Sequence, residues 1–197
     1  MSSLANNKIL ICTHNLNKVI EFKILFQETN IQILSLNDLN IDREIEETGD
    51  TFKENAYIKA SFFHKLTGYP CISDDSGLSI RALNFKPGVH SKRFTPSALD
   101  SSNNKKVLEL LENERDRYAF YTCALCFIID DKIISIEEIC EGTIALSEKI
   151  GNGFGYDSIF IPLNQNLRFS ELSDEIKNNI SHRAKAFKKL IDEIGKL

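Results

Sequence analysis

The chain has 197 residues and a formal net charge of −4, with 42% hydrophobic and 26% charged residues. This length fits one domain that buries a real core, and this composition excludes a disordered or fibrous chain. The lysines and arginines form no broad basic pattern, which argues against a general nucleic-acid binder but is compatible with a small anionic ligand in a local cationic pocket.

The N-terminal sequence and the cysteines predict a cytosolic protein with reduced thiols. The apolar run that begins at Ile9 is too short for a signal peptide or a membrane span. Five cysteines are an odd number in a chain with no export signal, and this predicts thiols rather than disulfides. Cys123 and Cys126 have the spacing of a metal knuckle. In a strand-like run, however, residues three apart point to opposite faces, which favours core packing.

The predicted elements alternate between strands and helices. In chain order they are a strand at residues 8–12, a helix within 13–28, a strand at 31–36, a helix within 47–68, a strand at 71–73, a turn and loop at 87–94, a helix at 105–114, strands at 118–130 and 132–146, a glycine-rich loop entering a strand at 150–162, and a helix at 181–194. The two long β runs predict an antiparallel hairpin. This order indicates a mixed α/β domain around a twisted central sheet.

Two of the predicted helices carry clear signals. Thr51 and Glu54 form a capping-box pattern at the start of the second helix. The predicted buried stripes are Phe52, Ala56, Ala60 and Phe63 in that helix, and Ile180, Ala184, Phe187, Ile191 and Ile194 in the last one.

Two adjacent acids, Asp74 and Asp75, follow the third predicted strand. Like charges side by side are costly unless a cation shares them, so the pair suggests a metal. If the strand ends at the pair, the two side chains point to opposite faces and cannot share one role.

The segment from Thr13 to Lys18 lies where the first strand passes into the first helix. Backbone N–H groups at a helix N-terminus bind anions, and Lys18 would add a full charge. The alternative is a plain Thr or Asn N-cap beside a solvated lysine.

A lysine and a group of acids surround the second helix. Lys59 falls inside its apolar stripe, where it either extends to the protein edge or reaches a buried anion. Glu44, Glu46 and Glu47 would ordinarily form a solvated run. Together with Asp74 and Asp75 they also offer oxygen ligands suited to Mg²⁺, which fits metal-assisted phosphoryl chemistry.

Two further segments suit a flat ligand. In residues 151–157, three glycines allow close backbone approach while Phe154 offers a stacking face, although a tight turn with a core aromatic explains the same pattern. Ser181 can cap the last helix and place His182 and Arg183 in its first turn, away from the apolar stripe. These two side chains suit the reading of carbonyl edges, although such a pair is often only surface.

Together these segments resemble the inosine-triphosphate pyrophosphatase family, also described as dITP/XTP pyrophosphatases. The resemblance runs from Thr13 to Arg183 and rests on an ordered set of motifs: T-x-N-x-x-K, EETGDTFKENA, DDSGL, P-G-V-x-S-x-R-F, GFGYD and EIKNNISHR. It implies an α/β fold with a long curved mixed sheet flanked by helices, two lobes around a central substrate cleft, a single domain over residues 1–197 and a homodimer. It also implies the reaction, in which a non-standard purine nucleoside triphosphate (ITP, dITP or XTP) and water give the monophosphate and pyrophosphate, with Mg²⁺ required.

The resemblance also implies roles for individual residues. The triphosphate would be held by Thr13, Asn15 and Lys18, in a loop that also contributes His14, Leu16 and Asn17, with Lys59 assisting. The metal would be held by Asp75 with Glu46 or Glu47, and Asp75 would also be the base for the attacking water. Ser76 would touch the substrate. Asp74 would be a supporting residue that bonds a backbone N–H or Lys18. The base would stack on Phe154 against a wall of Gly155, Tyr156 and Asp157, and would be read by Lys177, His182 and Arg183.

Three positions depart from the family pattern. His14 stands where the family usually has glycine, which would narrow the phosphate site or require φ > 0 from a histidine. Ser158 stands where proline is common, and the residues after Phe94 also differ. Two other functions stay open: a related pyrophosphatase for modified pyrimidine triphosphates, and a nucleotide-binding or RNA-binding module without catalysis, for which His14 is the only hint.

Overall fold

A computed structural model describes residues 7–195 of the chain. The strands are β1 Lys8–Ile11, β2 Gln32–Ser35, β3 Cys71–Ile80, β4 Tyr118–Ile129, β5 Lys132–Ile144 and β6 Phe160–Pro162. The helices are α1 Leu16–Leu25, α2 Phe52–Thr67, α3 Asp100–Leu110, α4 Asp174–Ile180 and α5 His182–Ile194. Short 3₁₀ helices cover Asn37–Leu39, Arg81–Leu83, Gly88–Arg93 and Phe169–Glu171.

The strands form a six-stranded mixed sheet in the order β2-β1-β3-β4-β5-β6. Strand β1 runs parallel to β2 and to β3, and β5 runs antiparallel to β6. Strands β4 and β5 are sheet neighbours joined by only two residues, 130 and 131, so they form the antiparallel hairpin that the sequence predicts. The predicted α/β class with a mixed sheet and flanking helices is confirmed.

The chain divides into two compact units, each built from separate stretches of sequence. Unit 1 contains the described residues up to Asp75, together with Cys123–Glu137 and the residues from Ala184 onward. Unit 2 contains Ser76–Thr122 and Glu138–Arg183. The residues predicted to bind phosphate and metal therefore lie in unit 1, except Ser76, and those predicted to read the base lie in unit 2.

The core of unit 1 packs α1, α2 and α5 onto the strands. Helix α2 begins with the predicted capping box, because Thr51 accepts from the Glu54 N–H while the Glu54 side chain accepts from the Thr51 N–H. Helix α5 buries Ala186 and Leu190, which the predicted stripe omits. The stripe is wrong at Ile180, which belongs to α4, since the extended backbone of Ser181 separates the two helices.

Unit 2 has its own core around a buried cluster that includes Leu78, Val107 and Phe160. Helix α3 in this unit starts five residues before its predicted start at 105, at Asp100. The prediction missed this turn because Ser, Asn and Asp compete with the backbone for hydrogen bonds and therefore have low helix propensity. The predicted loop at 87–94 is mostly a 3₁₀ helix, Gly88–Arg93.

The five cysteines are all buried thiols, as predicted. Cys123 and Cys126 both lie on β4 but belong to different core clusters, which confirms that they point to opposite faces. Within residues 7–195 no group of three or more His, Cys, Asp and Glu side chains is arranged to hold a metal ion. In the same range, no helix is both long and apolar enough to span a membrane.

Candidate functional site

The turn between β1 and α1 is organised by Asn15. Its side-chain oxygen accepts from the N–H groups of Asn17 at 3.0 Å and Lys18 at 3.4 Å. The Asn15 N–H donates in turn to Thr13 Oγ1 at 3.2 Å. The N-cap interpretation of this segment is therefore confirmed, but Lys18 is not simply solvated, because its ammonium pairs with the buried carboxylate of Asp74.

His14 fits this turn with an ordinary backbone. The expectation that a histidine here requires φ > 0 is wrong, because His14 is not among the described residues with positive φ. Asn15 makes the turn instead, in the extended N-cap conformation with φ −73° and ψ 104°. The His14 ring points away from its own loop and bonds from Nε2 to the carbonyl of Arg43 at 3.1 Å.

The acid pair lies in the middle of β3 rather than at the end of a strand. The predicted strand at 71–73 is therefore too short, because β3 continues through both acids to Ile80. The two side chains still have separate partners, as strand alternation requires. Asp74 is fully buried, pairs with Lys18 and accepts from Cys123 Sγ at 3.1 Å, which confirms its predicted bond to Lys18.

Lys59 reaches two carboxylates, the buried Asp75 and the half-buried Glu47, and does not extend to the protein edge. Its Nζ lies 2.7 Å from Glu47 Oε1 and 3.4 Å from Asp75 Oδ1. It also donates to the Asp74 carbonyl at 2.8 Å. Asp75 is 6% exposed, and within residues 7–195 its buried Oδ2 has no hydrogen-bond partner.

Burial and neighbouring charges shift the pKa values of Asp75 and Lys59. Burial raises the pKa of Asp75 above its ordinary value, and the negative charge of Glu47 adds to this, while Lys59 and Lys18 oppose it. Burial alone would lower the pKa of Lys59, but Asp75 and Glu47 outweigh that effect and raise it. The arrangement is thus a firmly cationic lysine beside a carboxyl group that takes up a proton more readily than a free aspartate does.

The acids of unit 1 fit a divalent cation with few protein ligands. Asp75 Oδ2 is a buried acceptor without a donor among the described residues, as a cation ligand would be. Glu47 is half-buried and close to Lys59, whereas Glu46 is exposed. Mg²⁺ is held by one or two carboxylates and keeps several waters, so a larger cluster of protein ligands is not needed.

In unit 2, Asp157 organises the glycine-rich loop. Asp157 is buried, and its Oδ2 accepts from the Phe154 N–H at 3.0 Å and from Lys177 Nζ at 2.7 Å. Gly153 approaches the same carboxylate with φ +91°, a conformation that only glycine adopts readily. The tight turn that the sequence offered as an alternative is therefore present, and a buried aspartate stabilises it.

Alanine at Gly153 should open this turn. A Cβ there would lie 2.2 Å from Asp157 Oδ2, so the carboxylate must move and lose its bonds. Gly68 is the matched control, since it has φ +71° and no atom within 4 Å of an added Cβ. We expect Gly153→Ala to lower the free energy of unfolding by about 3 kcal/mol and Gly68→Ala by about 1 kcal/mol, measured by urea denaturation. Equal losses would show that Asp157 adjusts without cost.

The ring of Phe154 is half-buried and lies near two cations. Lys177 Nζ is 5.1 Å from the ring centroid, and Arg183 Cζ is 5.8 Å from it. Both distances are in the range of cation–π attraction. Phe154 is therefore an aromatic ring with two cationic donor groups over it.

The pair His182 and Arg183 is buried rather than on the surface. His182 stacks on Tyr121 with the ring centroids 4.5 Å apart and the planes within 3°. Arg183 is 2% exposed, and its Nη2 donates to Ser76 Oγ at 3.1 Å. Tyr156 lies in the core and donates from its hydroxyl to the Ser91 carbonyl at 2.7 Å. The structure thus brings Ser76 and Arg183 together and places the Tyr156 ring in the core.

Three residues around this loop were not predicted as part of the site. The Tyr121 hydroxyl accepts from the Tyr156 N–H at 3.1 Å and donates to Asp157 Oδ1 at 3.4 Å, and Asp100 and Asn104 bond to Gly155. No sequence signal marked Tyr121 as a site residue, because a tyrosine in a β-rich run is typical of a core position. Asp100 and Asn104 gave no signal either, because both lie before residue 105, where the predicted helix begins.

The chain is similar to known proteins over nearly its whole length. The chain matches the Ham1 family over residues 9–193. A dITP/XTP pyrophosphatase of Leptospira interrogans is 43% identical over 189 residues, covering 93% of this chain and 95% of that protein. A dITP/XTP pyrophosphatase of Christiangramia forsetii is 41% identical, covering 96% of this chain and 100% of that protein. A solved HAM1 protein from Coxiella burnetii superposes with a TM-score of 0.86 at 37% identity, covering 96% of this chain and 99% of the other. The resemblance seen in the motifs is confirmed, and the chain belongs to the Ham1 family.

Proposed function

We propose that this protein hydrolyses the non-standard purine nucleoside triphosphates ITP, dITP and XTP to the monophosphate and pyrophosphate, and so removes them from the nucleotide pool. The broader class follows from family membership: the protein is a nucleoside-triphosphate pyrophosphatase, a hydrolase of acid anhydrides. The observation that carries the proposed hydrolysis is Asp75, a buried carboxylate beside two lysines with one oxygen that has no partner among the described residues.

In unit 1 the proposed task is the chemistry at phosphorus. Asp75 accepts a proton from the attacking water, and its raised pKa brings it closer to the working pH, as general-base catalysis requires. Lys18 and Lys59 offset phosphate charge. Lys18 begins from an ion pair with Asp74, so its ammonium is already oriented when the substrate arrives.

Asp75 and Glu47 are the residues that would hold Mg²⁺, and we assign Glu47 rather than the exposed Glu46. When bound, the ion would supply positive charge to the phosphate oxygens. Before the ion binds, Lys59 bridges the carboxylates of Asp75 and Glu47 and keeps them close together despite their repulsion. Removal of the metal with EDTA should therefore abolish turnover while leaving the fold intact.

In unit 2 the proposed task is recognition of the base. The purine stacks on Phe154, and the donors of Lys177, His182 and Arg183 face its edge. A 6-oxo group accepts from such donors, whereas the 6-amino group of adenine would leave them unpaired in a buried place. Asp157 contributes by holding Lys177 and the backbone of Phe154.

The deciding experiment measures pyrophosphate release from ITP, XTP, dITP, dUTP, ATP and GTP with Mg²⁺. We expect the first three to be hydrolysed much faster than ATP and GTP. Equal rates on all six would contradict base selection, and a preference for dUTP would favour the pyrimidine-specific alternative. No release from any of them would favour a binding module.

Arg183 should set the selectivity between ITP and ATP. Replacing Arg183 by Gln removes the charged donor, so kcat/KM for ITP should fall by about 100-fold while that for ATP changes by less than about threefold. Lys185→Gln is the control, because Lys185 is an exposed cation on the same helix. An unchanged ratio of the two kcat/KM values in Arg183→Gln would remove the assignment.

The homodimer, the cytoplasmic location and the absence of a nucleic-acid partner stay predictions. Light scattering of the purified protein tests the first. A filter-binding assay with RNA and DNA tests the last, and binding that survives physiological salt would contradict it.

A further inference from the structure

Helix α3 holds the loop that carries Phe154 through both backbone polar groups of Gly155. The Gly155 N–H donates to Asp100 Oδ2 at 2.7 Å, and the Gly155 carbonyl accepts from Asn104 Nδ2 at 3.1 Å. Asp100 and Asn104 are four residues apart, so they project from the same face of the helix. One helix face therefore fixes the residue that follows Phe154.

The same helix also holds the end of the loop. Asn104 is 2% exposed, and Ser158 Oγ and Glu148 Oε1 also lie within hydrogen-bond distance of its amide nitrogen, at 2.8 and 2.9 Å, so one of its two N–H groups is shared between acceptors. The Ser158 hydroxyl donates to the same Glu148 oxygen at 2.7 Å. Ser158 is one of the departures from the family pattern, and its hydroxyl provides a polar attachment that proline could not.

These bonds restrict a segment that would otherwise be flexible. Gly155 has φ +63°, and glycine moves between positive and negative φ at little cost. A change at Gly155 would turn the Phe154 ring, since the two residues share a peptide bond. Fixing Gly155 in advance removes the entropy cost of ordering the ring when a ligand binds.

We propose that Asp100 and Asn104 are positioning residues, which hold the ring of Phe154 in the orientation that stacks on a purine base. Neither residue needs to touch the nucleotide, because both act through Gly155. The choice of a purine as ligand rests on the function proposed above. The bonds to Gly155 do not, and they can be tested separately.

The chain offers a closely matched control in Asn103. This neighbour is also 2% exposed, but its amide group donates to the carbonyls of Ser91 and Lys92 instead of the loop. Alanine at either position removes a buried amide of the same size, so both variants should lose similar stability. We expect only Asn104→Ala to raise KM for ITP, by about tenfold, with kcat changed by less than about twofold.

Binding of the two products tests recognition of the base and of the phosphates separately. By calorimetry, Asn104→Ala should bind inosine monophosphate about tenfold more weakly and pyrophosphate as the wild type does. Asp100→Ala should behave similarly, and Asp100→Asn, which keeps an acceptor for the Gly155 N–H, should recover most of the loss. Asn103→Ala should bind both products normally.

Hydrogen exchange tests the positioning without any nucleotide. The Gly155 amide should exchange faster in Asp100→Ala, which removes its acceptor, than in Asn103→Ala at equal global stability. Unchanged exchange in Asp100→Ala, or an equal rise of KM in Asn104→Ala and Asn103→Ala, would overturn the proposal. If the wild type released no pyrophosphate from any triphosphate, the proposed function would fail. The affinity for inosine monophosphate would still test the positioning role: weaker binding by Asn104→Ala supports that role, and unchanged binding overturns it.

Discussion

Replacing Asp75 by Asn is expected to lower the rate of pyrophosphate release from ITP by a factor of about 10³ or more, which is within the range for removal of a general base. The amide has nearly the same shape as the carboxylate but cannot accept the proton of the attacking water. Pyrophosphate released under saturating ITP measures the effect. Activity close to that of the wild type would remove Asp75 from the proposed mechanism.

The stability of the same variant gives a second, independent result. Because burial raises the pKa of Asp75, the folded state favours its neutral form, and the ionised form reduces stability above that pKa. Asparagine is neutral at every pH, so the melting temperature of Asp75→Asn at pH 8 should not fall. Asp74→Asn is the contrast: it leaves the Lys18 ammonium without its carboxylate and should lower the free energy of unfolding by about 2 kcal/mol.

Replacing Lys59 by Met should move the acidic limb of the kcat/KM profile to higher pH. The positive charge of Lys59 opposes the rise in the pKa of Asp75, so removing it lets that pKa rise further. Since Asp75 must be ionised to act as the base, the variant should lose activity at a higher pH than the wild type does when the solution is acidified. Turnover of ITP across the pH range measures this shift.

The stability of Lys59→Met should also depend on pH, with a defined sign. Without the ammonium, Glu47 and Asp75 repel each other, so the variant should be less stable than the wild type at neutral pH. An aspartate whose pKa is higher in the folded state binds a proton as the pH falls through that pKa, so the deficit should shrink toward acid. Lys59→Arg keeps the cation and should leave the acidic limb in place. An unmoved limb in Lys59→Met would show that Asp75 does not control the profile.

Local signals in the sequence predicted much of the fold. The capping box at Thr51 and Glu54 predicted the start of α2, because both bonds lie within one helical turn. The position of Lys59 on an apolar stripe left two outcomes open, extension to the protein edge or contact with a buried anion, and the structure shows the second, since an unpaired ammonium there would be expensive. Alternation along a strand separated Cys123 from Cys126.

The features that were missed depend on contacts distant in sequence. Strand β3 continues through Asp74 and Asp75 because each finds a cation or donor from another element, and no local pattern reveals this. The stacking of His182 on Tyr121 joins residues 61 positions apart (182 minus 121). The departure at His14 suggested a strained backbone, but His14 has no positive φ and Asn15 makes the turn in an ordinary extended conformation.

The buried cysteines allow the opening of each unit to be followed chemically. A thiol-specific reagent can modify these side chains only when the surrounding structure opens, since each is at most 3% exposed. Four of them, Cys12, Cys71, Cys123 and Cys126, belong to unit 1, and Cys140 belongs to unit 2. Mass spectrometry of peptides after timed labelling would therefore give separate opening rates for the two units. No engineered cysteine or tryptophan would be needed, and a nucleotide that binds one unit should slow the labelling of its cysteines.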